Sequence, residues 1–284
     1  MNLQQFEDKF DTNKKCFEYI WSQRYPDGIL CKLKPECIEK GFGHRLTDSK
    51  YRCGYWKCRT PYSARTGTIF QGSRIPINKW FKAIWLISTN INGTSGLWLQ
   101  KKLELGSYPT AWRMLYEIRG RMKLDKLQGT VFIDVYQKKI HPYSDEDDYI
   151  IIAVEVDAVN MSIKKIRMCK SYELREIYDS DDYIIEFVQS SIEQESTIIT
   201  ANRQWHNKLS DMGHILKSST STDKLLEPVE VVISHLRKKG LLGTPQGYCT
   251  DKFLNSYLDE CCYKFNNRNS TKRFYELLEI CCKY

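Results

Sequence analysis

Nowhere in the 284 residues does an apolar run approach the roughly 18–20 residues needed to cross a bilayer, and the N-terminus MNLQQFEDKF carries acids where a secretory signal needs an apolar stretch. These absences argue against membrane spanning and secretion. The sequence also lacks an even cysteine count. Eleven thiols cannot all close into disulfides, and a chain this long buries roughly three quarters of its unfolded surface without covalent staples. The cysteines therefore read as reduced thiols, some of them metal ligands. Acidic residues are scarce in one place: Tyr51 to Thr130 holds 3 of them against 14 Lys/Arg. What is present is an ordinary globular composition, 42% hydrophobic and 27% charged, too apolar for a disordered tail and too charged for a membrane bundle.

The charge is unevenly divided. Residues 1–130 carry a net +12 and residues 131–284 a net −4, within a total of +8. A concentrated basic block beside an acidic remainder suggests a polyanion-binding front, because Lys/Arg on phosphate release counterions and supply most non-specific affinity. The plainer reading is a basic, solvated surface.

Three stretches follow from the patterning: 1–62, 63–126 and 127–284. In the first, a short amphipathic segment precedes Cys31 and Cys37 in LCKLKPEC and Cys53 and Cys58 in RCGYWKC, with 15 residues between the pairs. Two thiolate pairs on turns joined by a short hairpin are what a tetrahedral Zn²⁺ requires, and the gap suits a small zinc ribbon. The spacing inside each pair, five and four residues, is wider than the usual two. Cys16 or His44 could therefore replace one ligand, the site could be partly degraded, or the four could be plain buried thiols.

The second stretch has helical periodicity. Ile77, Trp80, Phe81, Ile84, Trp85 and Ile91 recur at the spacing of one buried face. Asn92-Gly93-Thr94-Ser95 ends that helix and caps SGLWLQKKLEL, and Gly106-Ser107 with Pro109 breaks before TAWRMLYEIRGRM. Three short helices with tight turns match a helix-turn-helix, whose last helix enters the major groove. In that helix Ala111, Trp112, Leu115, Ile118 and Met122 form the expected inner stripe. Arg113, Glu117 and Arg121 then face outward, with Lys101 and Lys102 within reach of phosphates. A small helical connector is the alternative.

From residue 128 the pattern turns to strands. GTVFIDVY alternates, with Val131, Ile133 and Val135 on one face and Phe132, Asp134 and Tyr136 on the other. Strands at YIIIAVEVD and SIKKIRMC, a helix at DDYIIEFVQSSIEQE, a strand at STIIT and helices over about 225–242, 251–267 and 271–282 complete an α/β order. That order suits an RNase H-like mixed sheet with flanking helices, or an α/β domain of another topology. The paired cysteines Cys261-Cys262 and Cys281-Cys282 read as buried apolar residues. The acidic runs SDEDD and DSDD read as solvated loops, and His214 as structural.

The residues also carry a resemblance. Arg24-Tyr25-Pro26-Asp27-Gly28, Tyr62-Ser63-Ala64-Arg65-Thr66-Gly67-Thr68-Ile69-Phe70, Trp80-Phe81, Thr110-Ala111-Trp112 and Ile118-Arg119 resemble the front half of a family of insertion-sequence transposases whose eukaryotic relatives are called Merlin. It resumes at Val131-Phe132-Ile133-Asp134, Gly213-His214, Gly240-Leu241-Leu242-Gly243-Thr244, Phe253-Leu254 and Tyr257-Leu258-Asp259-Glu260. The resemblance implies a zinc ribbon, a helix-turn-helix and an RNase H-like domain. It implies Mg²⁺- or Mn²⁺-dependent cleavage and transfer of DNA strands by three carboxylates. Asp134 matches the first acid. Ala201 stands where the second is expected, with Asn202 and Asp211 as poor substitutes, and the third falls on Glu230, or on Val231 if no residue is inserted. Further implied are binding of terminal inverted repeats as double-stranded DNA through residues 50–125, with Lys101, Lys102, Arg113, Arg119 and Arg121 as contacts, a homodimer, and no small-molecule substrate. The compartment would be the nucleus in a eukaryote and the cytoplasm or nucleoid in a bacterium. With Ala201 in place, two outcomes are expected to compete: an active transposase, or a decayed or domesticated derivative that binds DNA without cutting it. A protein-binding zinc adaptor is the third.

Overall fold

Helical and alternating segments separate cleanly along the chain. The computed structural model describes residues 1–29, 31, 33, 35–40, 43–90, 93–122, 124–138, 148–171, 182–201, 205–218, 226–238 and 251–283. In order, the first elements are α1 (Leu3–Phe10), α2 (Asn13–Arg24), α3 (Pro35–Lys40), β1 (Gly43–Thr47), β2 (Lys50–Cys53), β3 (Pro61–Ser63), α4 (Ile77–Thr89), α5 (Gly96–Leu103) and α6 (Tyr108–Arg119). There follow β4 (Thr130–Lys138), β5 (Asp148–Val156), β6 (Ile163–Ser171), α7 (Asp182–Ser191), β7 (Thr197–Thr200), α8 (Trp205–Asp211), β8 (Ile215–Ser218), α9 (Glu227–Lys238), α10 (Asp251–Asn266) and α11 (Arg273–Cys282). The protein is therefore mixed α/β, with two sheets among the described residues. No helix among them is long and apolar enough to cross a membrane. Ile91, Asn202, Gly240–Thr244 and most of the two acidic runs lie outside the described residues.

Two compact units result. One comprises Met1–Asn90, Thr94–Arg121 and Ser270–Tyr284, the other Ile91–Gly93 and Met122–Asn269. Residues 1–62 and 63–126 thus fall mainly in one unit, and α11, which sequence order groups with 127–269, joins them.

The first unit is held by aromatic residues at helical spacing. Phe6 and Phe10 on α1, Phe81 on α4 and Phe274 on α11 are buried, and their rings meet at centroid distances of 5.1–5.8 Å. Ile77, Trp80 and Ile84 are buried on the same helix as Phe81, as the periodicity predicts, while Trp85 is half-buried. Ser95 caps α5, its hydroxyl accepting the Trp98 N–H at 3.2 Å. Pro109 occupies the first turn of α6, where a missing N–H costs nothing. The two helices approach closely because residue 96 is glycine: a Cβ there would sit 2.9 Å from the Tyr108 ring. On α6, Ala111, Leu115 and Ile118 are buried as predicted. Trp112 is not. It lies half-buried and stacks flat on Tyr116, with centroids 5.5 Å apart, and Met114 takes the core position.

The second unit is built on a five-stranded sheet of order β6-β5-β4-β7-β8. β4, β5 and β6 pair antiparallel, and β7 and β8 add in parallel. The alternation in β4 divides its side chains as predicted. Val131 and Ile133 enter a core with Phe187 and Val188 of α7 and Trp205 and Leu209 of α8. Phe132 and Tyr136 enter the opposite core, with Val229 and Val232 of α9 and Leu258, Cys262 and Phe265 of α10. Asp134 lies between Phe132 and Tyr136 and so faces that second layer.

The outer edge of β6 is occupied by side chains. Asn266 accepts the Ile166 N–H at 2.7 Å and donates to its carbonyl at 3.0 Å. Asn255 accepts the Lys170 N–H at 2.8 Å, Tyr183 donates to the Lys170 carbonyl at 2.7 Å, and Arg268 donates to the carbonyls of Ile163 and Lys164. Backbone groups that an edge strand leaves unpaired are thus satisfied within the unit.

Candidate functional site

The four predicted cysteines converge. Their sulfurs all lie within 4.8 Å of one another. A zinc tetrahedron with Zn–S bonds of about 2.3 Å has edges of about 3.8 Å. Cys31 to Cys58 measures 3.8 Å and Cys37 to Cys53 measures 3.9 Å. The wide spacing within each pair is absorbed locally: Pro35–Lys40 forms a helix that carries Cys37, and a turn closed by Cys58 N–H on the Tyr55 carbonyl, 2.9 Å, returns Cys58 toward Cys53. Cys31, Cys37 and Cys53 are buried, with Tyr55 and Tyr62 packed against them. Burial pushes the Cys37 thiol up to about 12, whereas the Thr60 hydroxyl at 3.1 Å from the sulfur draws Cys58 down to about 6. The four cysteines are close enough to bind a metal such as zinc. Cys16 and His44 are not needed: Cys16 is buried with its sulfur toward the Phe10 carbonyl, and exposed His44 lies outside the cluster.

The basic residues divide. Lys101 and Lys102 are exposed in the last turn of α5, where a helix favours cations. Arg113 and Arg121 line a groove of about 500 Å³ between α6 and the turn Thr68–Ile75, with Glu117 between them. Arg74 lines the same groove from the turn. Its position eluded sequence reasoning because it precedes α4 without any periodic pattern. Arg119 corrects the expectation of an exposed contact. It is 3% exposed and donates to the Thr94 carbonyl at 2.8 Å, fastening the start of α5 to the end of α6.

Of the acids, Asp134 sits where predicted. It is half-buried in the central strand, and its two oxygens accept from Val135 N–H at 2.8 Å and Leu226 N–H at 2.9 Å. Burial raises its pKa, and the two N–H groups oppose the rise. Leu226 also supplies the carbonyl for Glu230 N–H at 2.9 Å, so Asp134 holds the residue from which α9 starts. β4 and β7 run parallel with Phe132 beside Ile199. Extending that register by two residues sets Ala201 level with Asp134, and both face the core layer of α9 and α10. Glu230 is exposed on α9, in a shallow depression with Glu227, Val231 and Ser234. Asp211 is exposed at the end of α8. Among the described residues the four cysteines form the one metal-competent group of three or more ligands, and no carboxylate triad accompanies it.

A further carboxyl stands apart. Asp259 lines a cavity of about 240 Å³ with Arg167, Cys169, Tyr183, Glu186 and Asn255, and burial raises its pKa to about 6 against the pull of Arg167. Because the folded value exceeds the unfolded one, folding takes up a proton between them. The resulting stability is fully present below pH 4 and is lost as pH rises through 6. Asp259→Asn should therefore abolish a loss of about 3 kcal/mol between pH 4 and 7, seen as a flattened urea-midpoint profile against the native chain. His214 is buried, its Nδ1 has no hydrogen-bond partner among the described residues, and burial lowers its pKa. These surroundings suit a structural neutral imidazole.

No protein-family model matches the chain, and no curated protein matches it.

Proposed function

We propose that the chain is a DNA-binding protein of the insertion-sequence transposase type in which strand cleavage has been lost. The observation that carries this reading is that Ala201, which extension of the Phe132–Ile199 register sets level with Asp134, has no carboxylate. An RNase H-like architecture is supported by the order β6-β5-β4-β7-β8, with three antiparallel strands followed by two parallel ones. In such a sheet the middle of β4 and the end of β7 are where two carboxylates would meet. One of those positions carries a methyl group.

The residues present do not fit a two-ion magnesium centre. Asp134 already accepts two main-chain N–H groups, Ala201 has no donor atom, and Glu230 is left to serve from an exposed helix face. Two-metal phosphoryl transfer needs charge on both the entering and leaving oxygens, and one carboxylate fewer weakens that hold. DNA binding needs none of these groups. It is supported by the basic front, by the arginine-lined groove beside α6, and by three helices α4, α5 and α6 in the order of a helix-turn-helix. The cysteine cluster fits a small zinc ribbon beside them.

The native chain is expected to bind duplex DNA with a log–log salt slope of about −3 or steeper, since each phosphate neutralised contributes about −0.9. It should leave the same duplex uncut in Mg²⁺ or Mn²⁺. Salt-insensitive binding would remove the DNA-binding reading, and nicking by the native chain would remove the claim of lost cleavage.

A further inference from the structure

The groove beside α6 is lined by arginines from both walls, and one residue in it does not suit a phosphate channel. Arg74 reaches it from the Thr68–Ile75 turn, Arg113 from α6 and Arg121 from the turn that follows α6. Glu117 lies on α6 one turn after Arg113, and Arg121 follows two residues beyond the last residue of the helix, Arg119. Spacings of four on a helix surface favour ion pairs between carboxylate and guanidinium. Yet among the described residues the side chains of Arg74, Arg113 and Glu117 have no hydrogen-bond or ion-pair partner. The carboxylate is half-buried in the groove.

A phosphate entering between the arginines would be repelled by Glu117. A base edge would not be, because exocyclic amines point into the major groove, and carboxylates accept from cytosine N4 in particular. We propose that α6 lies along base edges with Glu117 accepting from a cytosine amine, while Arg74 on the facing turn and Arg113 and Arg121 to either side of Glu117 hold the phosphates that border the groove rather than any that enter it beside the carboxylate. This rests on the DNA-binding reading above. It makes Arg74, Arg113 and Arg121 determinants of affinity, and Glu117 the determinant of sequence preference.

The test uses the full chain and a pool of duplexes with a randomised central tract. Binding of the native chain to the pool is measured first by fluorescence anisotropy across a salt series. Arg74→Ala should weaken binding to the whole pool and flatten the log–log salt slope by about 0.9. Selection and sequencing should give the native chain about a tenfold preference for cytosine at one position, lost in Glu117→Gln while affinity for the unselected pool is kept or raised. Glu117→Asp, which keeps the charge and withdraws it by one methylene, should weaken the same preference without moving it to another position. An unchanged slope in Arg74→Ala would exclude the border of the groove as the phosphate path, and an unchanged sequence preference in Glu117→Gln would exclude base reading by Glu117. Failure of the native chain to bind the pool would overturn the DNA-binding reading itself, and the proposal with it.

Discussion

Purified under reducing conditions, the chain is expected to carry one equivalent of zinc, and removal of the metal should unfold the β1–β3 sheet. The strands are short, five, four and three residues, and β1 is largely exposed. Apart from three cysteines, the hydrophobic cluster beneath them has only partly buried contributors: Tyr55, Tyr62 and Cys58. Beyond the contact of Tyr51 with Trp21 of α2, such a sheet has little apolar packing to offset the ordering of its residues, and the metal supplies the rest. Structural zinc sites give apparent binding energies of about 10–16 kcal/mol near neutral pH, enough to decide whether a small element folds. Cys53→Ser, which removes a buried ligand, should lower the zinc content to near zero and open the sheet to proteolysis. Because binding releases thiol protons, zinc should be lost as pH falls. The checks are metal content by mass spectrometry and hydrogen exchange over 43–63 with and without chelator. A zinc-free chain whose amides in that segment stay protected would refute the assignment.

The second large effect concerns one methyl group. Ala201→Asp should give the protein a divalent-cation site that the native chain lacks, and with it Mg²⁺- or Mn²⁺-dependent nicking of bound DNA. The new carboxylate would stand level with Asp134 on the same sheet face, across one inter-strand spacing of about 4.8 Å, which two oxygens sharing an ion can bridge. Disturbing groups that merely orient metal ligands costs about 10–100-fold, so restoring a ligand should exceed 100-fold over the native background. Mn²⁺ binding measured by electron paramagnetic resonance gives a readout independent of cutting. Asp134→Ala in the Ala201→Asp background should abolish both signals. If Ala201→Asp neither binds Mn²⁺ nor nicks DNA, position 201 is not the site of a lost catalytic carboxylate.

Much of this was legible in the residues because the relevant signals are periodic. The alternation of GTVFIDVY assigned Asp134 to its face, and the spacing of Ile77, Trp80, Phe81 and Ile84 marked the buried side of α4. What escaped is what lacks a period. β8 is a four-residue strand whose pattern, Ile-Leu-Lys-Ser, gives too few alternations to distinguish it from a turn. Spacing alone points Trp112 to the core, although an aromatic ring can satisfy itself by stacking on its neighbour four residues on, as it does on Tyr116. Arg119 sits at the edge of the inner stripe, and its long side chain reaches a carbonyl 25 residues back in the chain. The cysteine cluster was legible in composition but not in spacing, because α3 and the 53–58 turn close a gap that residue counting cannot measure. No pattern in the sequence could show that Arg74 and α6 share a groove.

The side-chain cover on β6 also bears on how the chain is made. Asn266 is 100 residues downstream of the Ile166 backbone it completes. At synthesis rates of about 5–20 residues per second, β6 leaves the ribosome some 5–20 s before its covering helix exists. During that interval the nascent sheet presents an open edge, so chaperone dependence and co-translational aggregation should be greatest in chains arrested between residues 171 and 251. They should fall sharply once α10 has been completed.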